Sequence, residues 1–417
     1  MKVWYILMTF PGPSETFVAN DVGALARLGV EVSVHALRGP KRDAGRLLRE
    51  RGLVGIQVTN GTAGNLLRGL LVSLAQPLRA ARLIVWVVLQ SGGRPVHLAK
   101  GLALLPRILQ LFDRLERARP DVVHIYWGHY PAIFGWFVLE YAPGVVVSLS
   151  LSAYDLLRGF PGSMAVARRA HLVSTWAAAN LPAIAARGLP PDAVHVSRQG
   201  VDLEKVRGHR FDKLPRRVVT AGRLIRDKGM DDVVRAFGRV AAEHPDASLV
   251  ILGDGPDRRR LEELAATLGV HDAVVFRGHV AHDEVFEELA RAELFLFLSR
   301  YAGERLPNVV KEAMACRCLV VTTATPGIEE LMQDGVHGRV VPLGAWEQAA
   351  ERAIEAFADP ETAKIMAAAA QSHVVEKFDL VRLMDGMVRK WEERRDGLGV
   401  RVRRCPGVRN ERLCHPK

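Results

Sequence analysis

The sequence predicts an α/β protein with two Rossmann-like, doubly wound parallel-sheet domains facing a cleft. Three observations carry that expectation. Short β-branched runs alternate with longer amphipathic stretches, as strands and crossover helices do in a parallel sheet. At 417 residues the chain is long enough for two or three cores. The alternation restarts near Arg217, after the polar stretch 204–215, which sets the units at 1–205 and 206–372. Ligands of such sheets bind outside the carboxyl ends of the strands, so the cleft falls between the domains.

The first unit opens with Val3-Trp-Tyr-Ile-Leu-Met8. This run stops at Pro11-Gly12-Pro13 without a small-residue cleavage site, so it reads as a core strand rather than a leader. Further strands are expected at 31–37, 122–126, 145–149 and 194–197. Residues 122–139 are the longest run without Lys, Arg, Asp or Glu. His124, Gly128, His129 and Pro131 divide it into strand, loop and helix rather than a bilayer crossing. In the second unit, strands are expected at 218–221, 248–252, 274–276, 294–298, 319–322 and 339–341. Helices fall between them at 231–243, 257–268, 283–291, 307–316 and 345–358.

Apolar residues are 49% of the chain and charged residues 25%, which excludes a disordered protein. The four cysteines, Cys316, Cys318, Cys405 and Cys414, are too few and too late for a disulfide scaffold. Reduced thiols and a cytoplasmic location are expected. Cys405, Cys414 and His415 lack the fourth ligand of a zinc site. The net charge of +11 is uneven: residues 1–200 hold 22 basic and 11 acidic side chains, and 201–417 hold 35 of each. From Arg51 to Phe112 there are seven basic residues and no acid. That segment, 51–112, also carries Leu66-Leu67, Leu70-Leu71-Val72 and the apolar run 83–89, interrupted by Pro77, Arg79 and Arg82. Two readings suit it: contact with an anionic membrane surface, or a basic rim at the entrance for an acidic substrate. Nucleic acid is not expected, because no aromatic ladder is interleaved with the basic residues.

The richest element runs from Ser299 to Cys316, after the apolar strand 294–298. Pro307 suits a first helical position, where its missing N–H is harmless. The N–H groups of Asn308 and Val309 then point out of the helix start, which favours a phosphate. Glu312, one turn in, suits the vicinal hydroxyls of a ribose, and Glu304 lies in the preceding loop. Spacing alone leaves both glutamates as ordinary surface carboxylates. Two further loops shift the balance. Gly222-Arg223 through Lys228-Gly229 can approach and neutralise a diphosphate. Gly253-Asp254-Gly255 permits a tight strand-to-helix turn, but Arg258 stands where a dinucleotide fingerprint needs its third glycine. Hydride transfer is thereby disfavoured.

Taken in order, these motifs resemble the retaining nucleotide-sugar glycosyltransferases of family 4, the "glycosyl transferases group 1" type with the GT-B fold. The likeness is strongest over 217–342. It runs through Gly-Arg-Leu-x3-Lys-Gly, Gly-Asp-Gly-Pro, Phe276-Arg-Gly278, Glu-x7-Glu, Glu-Ala-Met-Ala and Gly327-Ile-Glu-Glu330. The first half agrees through Phe10–Phe17 and Ala153-Tyr-Asp155. The resemblance implies a sugar moved from a nucleotide-diphosphate sugar to a saccharide or lipid-linked acceptor, without cofactor or metal. It implies catalytic roles for Glu304, Arg223 and Lys228. Donor contacts are implied at Gly222, Asp254, Gly255, Gly278, Val280, Leu306, Pro307, Asn308 and Glu312. The acceptor side falls to Ser14, Glu15, Thr16, Ser152 and Asp155. A late helix, 373–396, is implied to cross back to the first domain, leaving 397–417 as a basic tail expected to be disordered.

The chain departs from the pattern at two places. Ser152 stands where many relatives place a histidine that reaches the transferred sugar, and His124 or His129 are the nearby substitutes. Arg305 replaces a common glycine, either adding a phosphate contact or reshaping the loop. The Ser152 departure keeps open a non-catalytic nucleotide-sugar or membrane-binding GT-B protein. A GT-B sugar-nucleotide epimerase is the other alternative.

Overall fold

A computed structural model describes residues 1–12, 15–160 and 162–399. The first sheet contains β1 (Lys2–Leu7), β2 (Glu31–Ala36), β3 (Gln57–Thr59), β4 (Val122–Ile125), β5 (Val146–Leu151), β6 (Leu172–Thr175) and β7 (Val194–Val196). The second contains β8 (Leu214–Ala221), β9 (Ser248–Leu252), β10 (Val274–Gly278), β11 (Ala292–Phe297), β12 (Leu319–Thr323) and β13 (Arg339–Val341). Every pairing between these strands is parallel. The strand orders are β3-β2-β1-β4-β5-β6-β7 and β10-β9-β8-β11-β12-β13. Helices cover both faces of each sheet, so central strands such as Leu294-Phe-Leu-Phe297 are apolar on both sides and buried throughout.

The five predicted helices of the second domain occur as Met230–Glu243, Arg258–Thr267, His282–Arg291, Asn308–Ala315 and Trp346–Ala358. Two strands of the first sheet, β3 and β6, were not predicted. β3 is three residues of edge strand with one aliphatic side chain, Val58. β6 reads Leu-Val-Ser-Thr, too short and polar to stand out from its neutral surroundings. Residues 122–139 do divide, into β4 and helix Ala132–Tyr141.

The chain joins the second core before residue 206, since Val201, Leu203 and Val206 already pack there. It leaves later than residue 373, because Val374 and Phe378 still fill that core. The crossing is pinned by two backbone bonds, Val201 N–H to Phe378 O at 2.8 Å and Leu380 N–H to Val201 O at 3.1 Å. Helix Leu380–Gly397 then inserts Met384, Met387 and Trp391 into the first domain's core. Trp391 is fully buried, 5.4 Å from the His124 ring and 6.4 Å from that of Tyr5. The terminal residues 400–417, with Cys405, Cys414 and His415, lie outside the described residues. Truncating Trp391 should cost about 3–5 kcal/mol, as for other buried aromatics. Urea unfolding of Trp391→Ala checks this, and an unchanged midpoint would remove the helix's structural role.

Candidate active site

In the second sheet the strand order reverses between β8 and β11. Their carboxyl-end loops diverge there and leave the crevice that such sheets use for ligands. Two of the predicted positions, Lys228 and Glu304, meet in it, and Arg223 lies on the Lys228 loop. Lys228 ends a 3-10 turn, Arg226–Lys228, and Gly229 follows at φ +62°. A Cβ on Gly229 would lie 1.8 Å from the Leu298 carbonyl oxygen, so only glycine lets the two loops touch. Arg300 N–H donates to Asp227 O at 2.9 Å and ties them together. Lys228 Nζ then ion-pairs with Glu304, and Ser299 Oγ donates to the same carboxylate oxygen at 3.1 Å. The Phe297 and Tyr301 rings flank the ammonium at 5.8 and 5.9 Å. Arg223 is exposed on the same loop and forms no ion pair among the described residues.

The floor of the crevice is backbone. Gly253 (φ +139°) donates its N–H to Gly278 O at 2.8 Å, and a Cβ there would lie 1.9 Å from Gly222 O. Leu224 N–H donates to Asp254 O at 3.0 Å, and Asp254 Oδ1 accepts from Gly255 N–H at 2.8 Å. Gly222, Asp254, Gly255 and Gly278 are thus one knitted surface, beside a half-buried Val280.

Pro307 is not the first helical residue predicted for it. Its ψ of 127° makes it the extended residue before helix Asn308–Ala315. Val310 and Lys311 N–H bond back to Pro307 O, at 3.2 and 3.3 Å. The N–H groups of Asn308 and Val309 therefore stand outside the intrahelical ladder. Leu306 is buried beneath. Glu312 is buried, and its Oε1 lies 2.8 Å from His282 Nε2. His282 was missed in the sequence. Its signal was position: it opens helix His282–Arg291 directly after the β10 loop, facing the helix that carries Glu312.

The acceptor-side residues are less uniform. Ser14 lies outside the described residues. Glu15 is buried, accepts from Thr9 Oγ1 at 2.8 Å, and has its carboxyl pKa raised by burial. Thr16 opens helix Thr16–Arg27. Ser152 and Asp155 are not free to meet a sugar in this structure. They form a capping box: Ser152 Oγ donates to Asp155 Oδ2 at 2.6 Å and accepts from Asp155 N–H at 3.2 Å. Both are buried. The neighbouring His129 is 3.3 Å from Asp155 Oδ1 and ringed by Trp127, Tyr130, Tyr154 and Phe160. His124 is structural: burial lowers its pKa to about 3, and Ser148 Oγ lies 3.0 Å away.

The domains meet across a polar seam. Both Glu330 oxygens accept backbone N–H bonds, from Ala178 and Ala179, at 2.9 Å. Arg305 donates to Asn180 Oδ1 at 2.9 Å and to the carbonyls of Ala302 and Glu304, so here it braces the loop. Lys311, fully buried, donates to Gln199 O at 2.6 Å. Gln199 accepts from Asn308 at 3.3 Å and donates to the Tyr126 hydroxyl at 3.2 Å, which donates to Asp21 at 2.8 Å. These contacts link the donor-side helix to the first sheet. Among the described residues no group of three or more His, Cys, Asp or Glu could hold a metal ion.

Residues 202–373 match the family model for glycosyl transferases group 1. The C-terminal domain is a group 1 glycosyl transferase domain. The two facing parallel-sheet domains of the chain give it the GT-B fold. The structure resembles that of Anabaena HepE in complex with UDP, with a TM-score of 0.71 at 17% identity, over 94% of this chain and 100% of that one. The chain is 25% identical over 411 residues to a putative colanic acid biosynthesis glycosyltransferase, WcaL, of Salmonella typhimurium, covering 91% of this chain and 96% of that one. It is 36% identical over 151 residues to the N-acetyl-alpha-D-glucosaminyl L-malate synthase of Bacillus anthracis, 36% of this chain and 38% of that relative's length.

The seam of this glycosyl transferase fold carries two displaced titrations. Burial raises Asp21 to about 7 from 3.8, against the Tyr126 bond and Lys311. Burial lowers Lys311 to about 7 from 10.5, against Glu312 and Asp21. Between about pH 4 and 7 the folded protein holds a proton at Asp21 that the unfolded chain has released, so this contribution to stability falls as pH rises. Above about pH 7 the unfolded chain keeps a proton that folded Lys311 has lost, so stability regains as pH rises towards 10.5. Replacing Asp21 by Asn should flatten the first limb and, by removing a charge that holds Lys311 up, lower the Lys311 pKa further. Melting temperatures of both proteins from pH 4.5 to 7 check this; a wild-type minus Asp21→Asn difference that stays constant would refute it.

Proposed function

We propose that this chain is a retaining glycosyltransferase of the hexosyltransferase type. It moves a sugar from a nucleotide-diphosphate sugar to a saccharide or lipid-linked acceptor, in cell-surface polysaccharide or glycolipid synthesis. The observation that carries the reading is the meeting of Lys228, Glu304 and the open start of helix Asn308–Ala315 at one switch point. The fold shared with a UDP complex and the relation to a colanic acid glycosyltransferase support it. The proposed location is the cytoplasm, at the inner face of the cell membrane.

The reaction breaks the bond from the anomeric carbon to the β-phosphate oxygen and forms one to an acceptor hydroxyl oxygen. Negative charge grows on the departing nucleoside diphosphate and positive charge on the sugar. Arg223, Lys228 and the Asn308 and Val309 N–H groups stabilise the former. These charges and donors need no metal or cofactor beside them. Glu304, held by Lys228 and Ser299, lies beside the transferred sugar. Glu312, oriented by His282, accepts from the ribose hydroxyls. Gly278 and Val280 lie under the base, and Leu306 and Pro307 line the sugar-phosphate loop. The acceptor attacks from the face the leaving group departs, and the released β-phosphate oxygen takes the acceptor's proton. Retention follows, and no side-chain nucleophile is required. Glu15 and Thr16 border the acceptor's side.

Removing a charged contact to the leaving group should cost ~2–4 kcal/mol of transition-state stabilisation, roughly 30- to 1,000-fold in rate. Lys228→Ala and Glu312→Ala should both lose nucleoside diphosphate release by about that factor while the chain stays folded. Wild-type turnover in Lys228→Ala would displace the active site. A thermal-shift panel of nucleotide sugars identifies the donor, since a ligand at a hundred times its Kd adds about 2.7 kcal/mol.

A further inference from the structure

Helices Ala63–Ala75 and Pro77–Gln90 form a bent pair, turned by 108° at Gln76, packed on helix Pro95–Ala118. Their inner faces are closely fitted. Gly69 lies against the Pro106 backbone, where a Cβ would sit 1.8 Å from its carbonyl oxygen. Leu83 and Val87 are buried, and Trp86 stacks on Trp136 at 4.9 Å. The outer faces are the unexpected part. Leu67, Leu70, Leu71, Leu74, Leu78 and Leu89 are between 51% and 81% exposed. An ordinary surface helix turns its leucines inward; here six leucines on two helices face out. Single exposed leucines need no explanation, but a patch of this kind signals a partner.

We propose that this leucine face docks on an anionic membrane surface. No single helix among the described residues is long and apolar enough to cross a bilayer. The pair is apolar enough together for a broken span or re-entrant loop, but it is bent by 108° and packed through its inner faces on helix Pro95–Ala118, which suits lying on the membrane rather than crossing it. Charge selects the occupant. Residues 52–112 contain no Asp or Glu, although Arg68 and Arg79 of the pair are matched by Asp113 and Glu116 on the underlying helix. Arg94 and Lys100, at the edge of the pair, are exposed without a carboxylate partner among the described residues. A second copy of this chain would bring like charge against like charge, whereas an anionic leaflet supplies the opposite sign. The inner side of the pair adjoins the residues around His129. His97, at the start of helix Pro95–Ala118, is 2.7 Å from the Tyr130 hydroxyl, beside His129. A Cβ on Gly162, beyond helix Ala153–Arg158, would sit 2.6 Å from the Trp86 ring. Resting on the proposed glycosyl transfer, this places a lipid-linked acceptor in the same surface that the leucines enter; the docking itself does not need that reading.

Vesicle flotation of the full chain, without donor or acceptor, tests the docking independently of turnover. The wild type should float with phosphatidylglycerol-containing vesicles and less with pure phosphatidylcholine. The triple variant Leu70→Gln, Leu71→Gln, Leu74→Gln removes only exposed apolar surface. It should keep the wild-type melting temperature and lose at least about tenfold in partitioning. Arg94→Glu with Lys100→Glu should abolish the preference for the anionic vesicles and its sensitivity to salt. Both variants retain the basic C-terminus, so a loss belongs to the helix pair. Equal flotation of the leucine variant and the wild type would overturn the proposal. So would a wild-type dimer that ignores vesicles and dissociates in the leucine variant.

Discussion

A parallel sheet whose order reverses between β8 and β11 must send the two following loops to opposite faces, and the pair Lys228–Glu304 spans the gap between them. Several donor-side features are arranged around that span. Gly229 allows the backbones to touch, Ser299 holds the carboxylate, and two aromatic rings screen the ammonium. The pair is half-buried, where desolvation offsets much of the Coulomb attraction. Its value is therefore placement more than stability. It holds a cation at the crevice with few rotamers open to it, which lowers the ordering cost when an anion arrives.

The seam between domains follows the opposite logic. Its polar contacts are few: one carboxylate on two backbone N–H groups and 3.6 Å from Arg198, one ammonium on one carbonyl, one guanidinium on one amide, beside Ala177, which is buried against the second core. Seams of this type permit domains to move relative to one another more readily than a large apolar interface would. The chain crossings at Val201 and Phe378, and the helix sealed by Trp391, hold the two sheets in register across the seam.

Most of the second domain was legible in the sequence because its apolar periods are unbroken and its loops carry glycines where backbones cross. Residues whose role depends on what faces them were not legible. His282 matters because it meets Glu312, thirty positions away. Ser152 and Asp155 sit in a family motif, but Ser-x-x-Asp is also a capping box, and a string of letters cannot say which bond the hydroxyl makes. Pro307 fits φ both before and inside a helix, and only its ψ decides. Composition showed that 51–112 is apolar and basic, not that its leucines point outward. That follows from Gly69 and Trp86 occupying the inner faces.

The division of charge between the halves has the same local origin. The second half holds 35 cations and 35 anions, and many are paired, as Arg277 is with Glu288 and Arg300 with Asp231. A diphosphate arriving there meets a few positioned groups at contact distance and almost no net field. The first half, with its excess of eleven cations, projects a field that reaches beyond its surface. Such a field is screened beyond about 10 Å at 0.1 M salt, while contacts inside a half-buried crevice are screened much less. Salt thus acts on the two halves unequally, weakening any attraction of the first domain to an anionic surface well before it loosens the donor site.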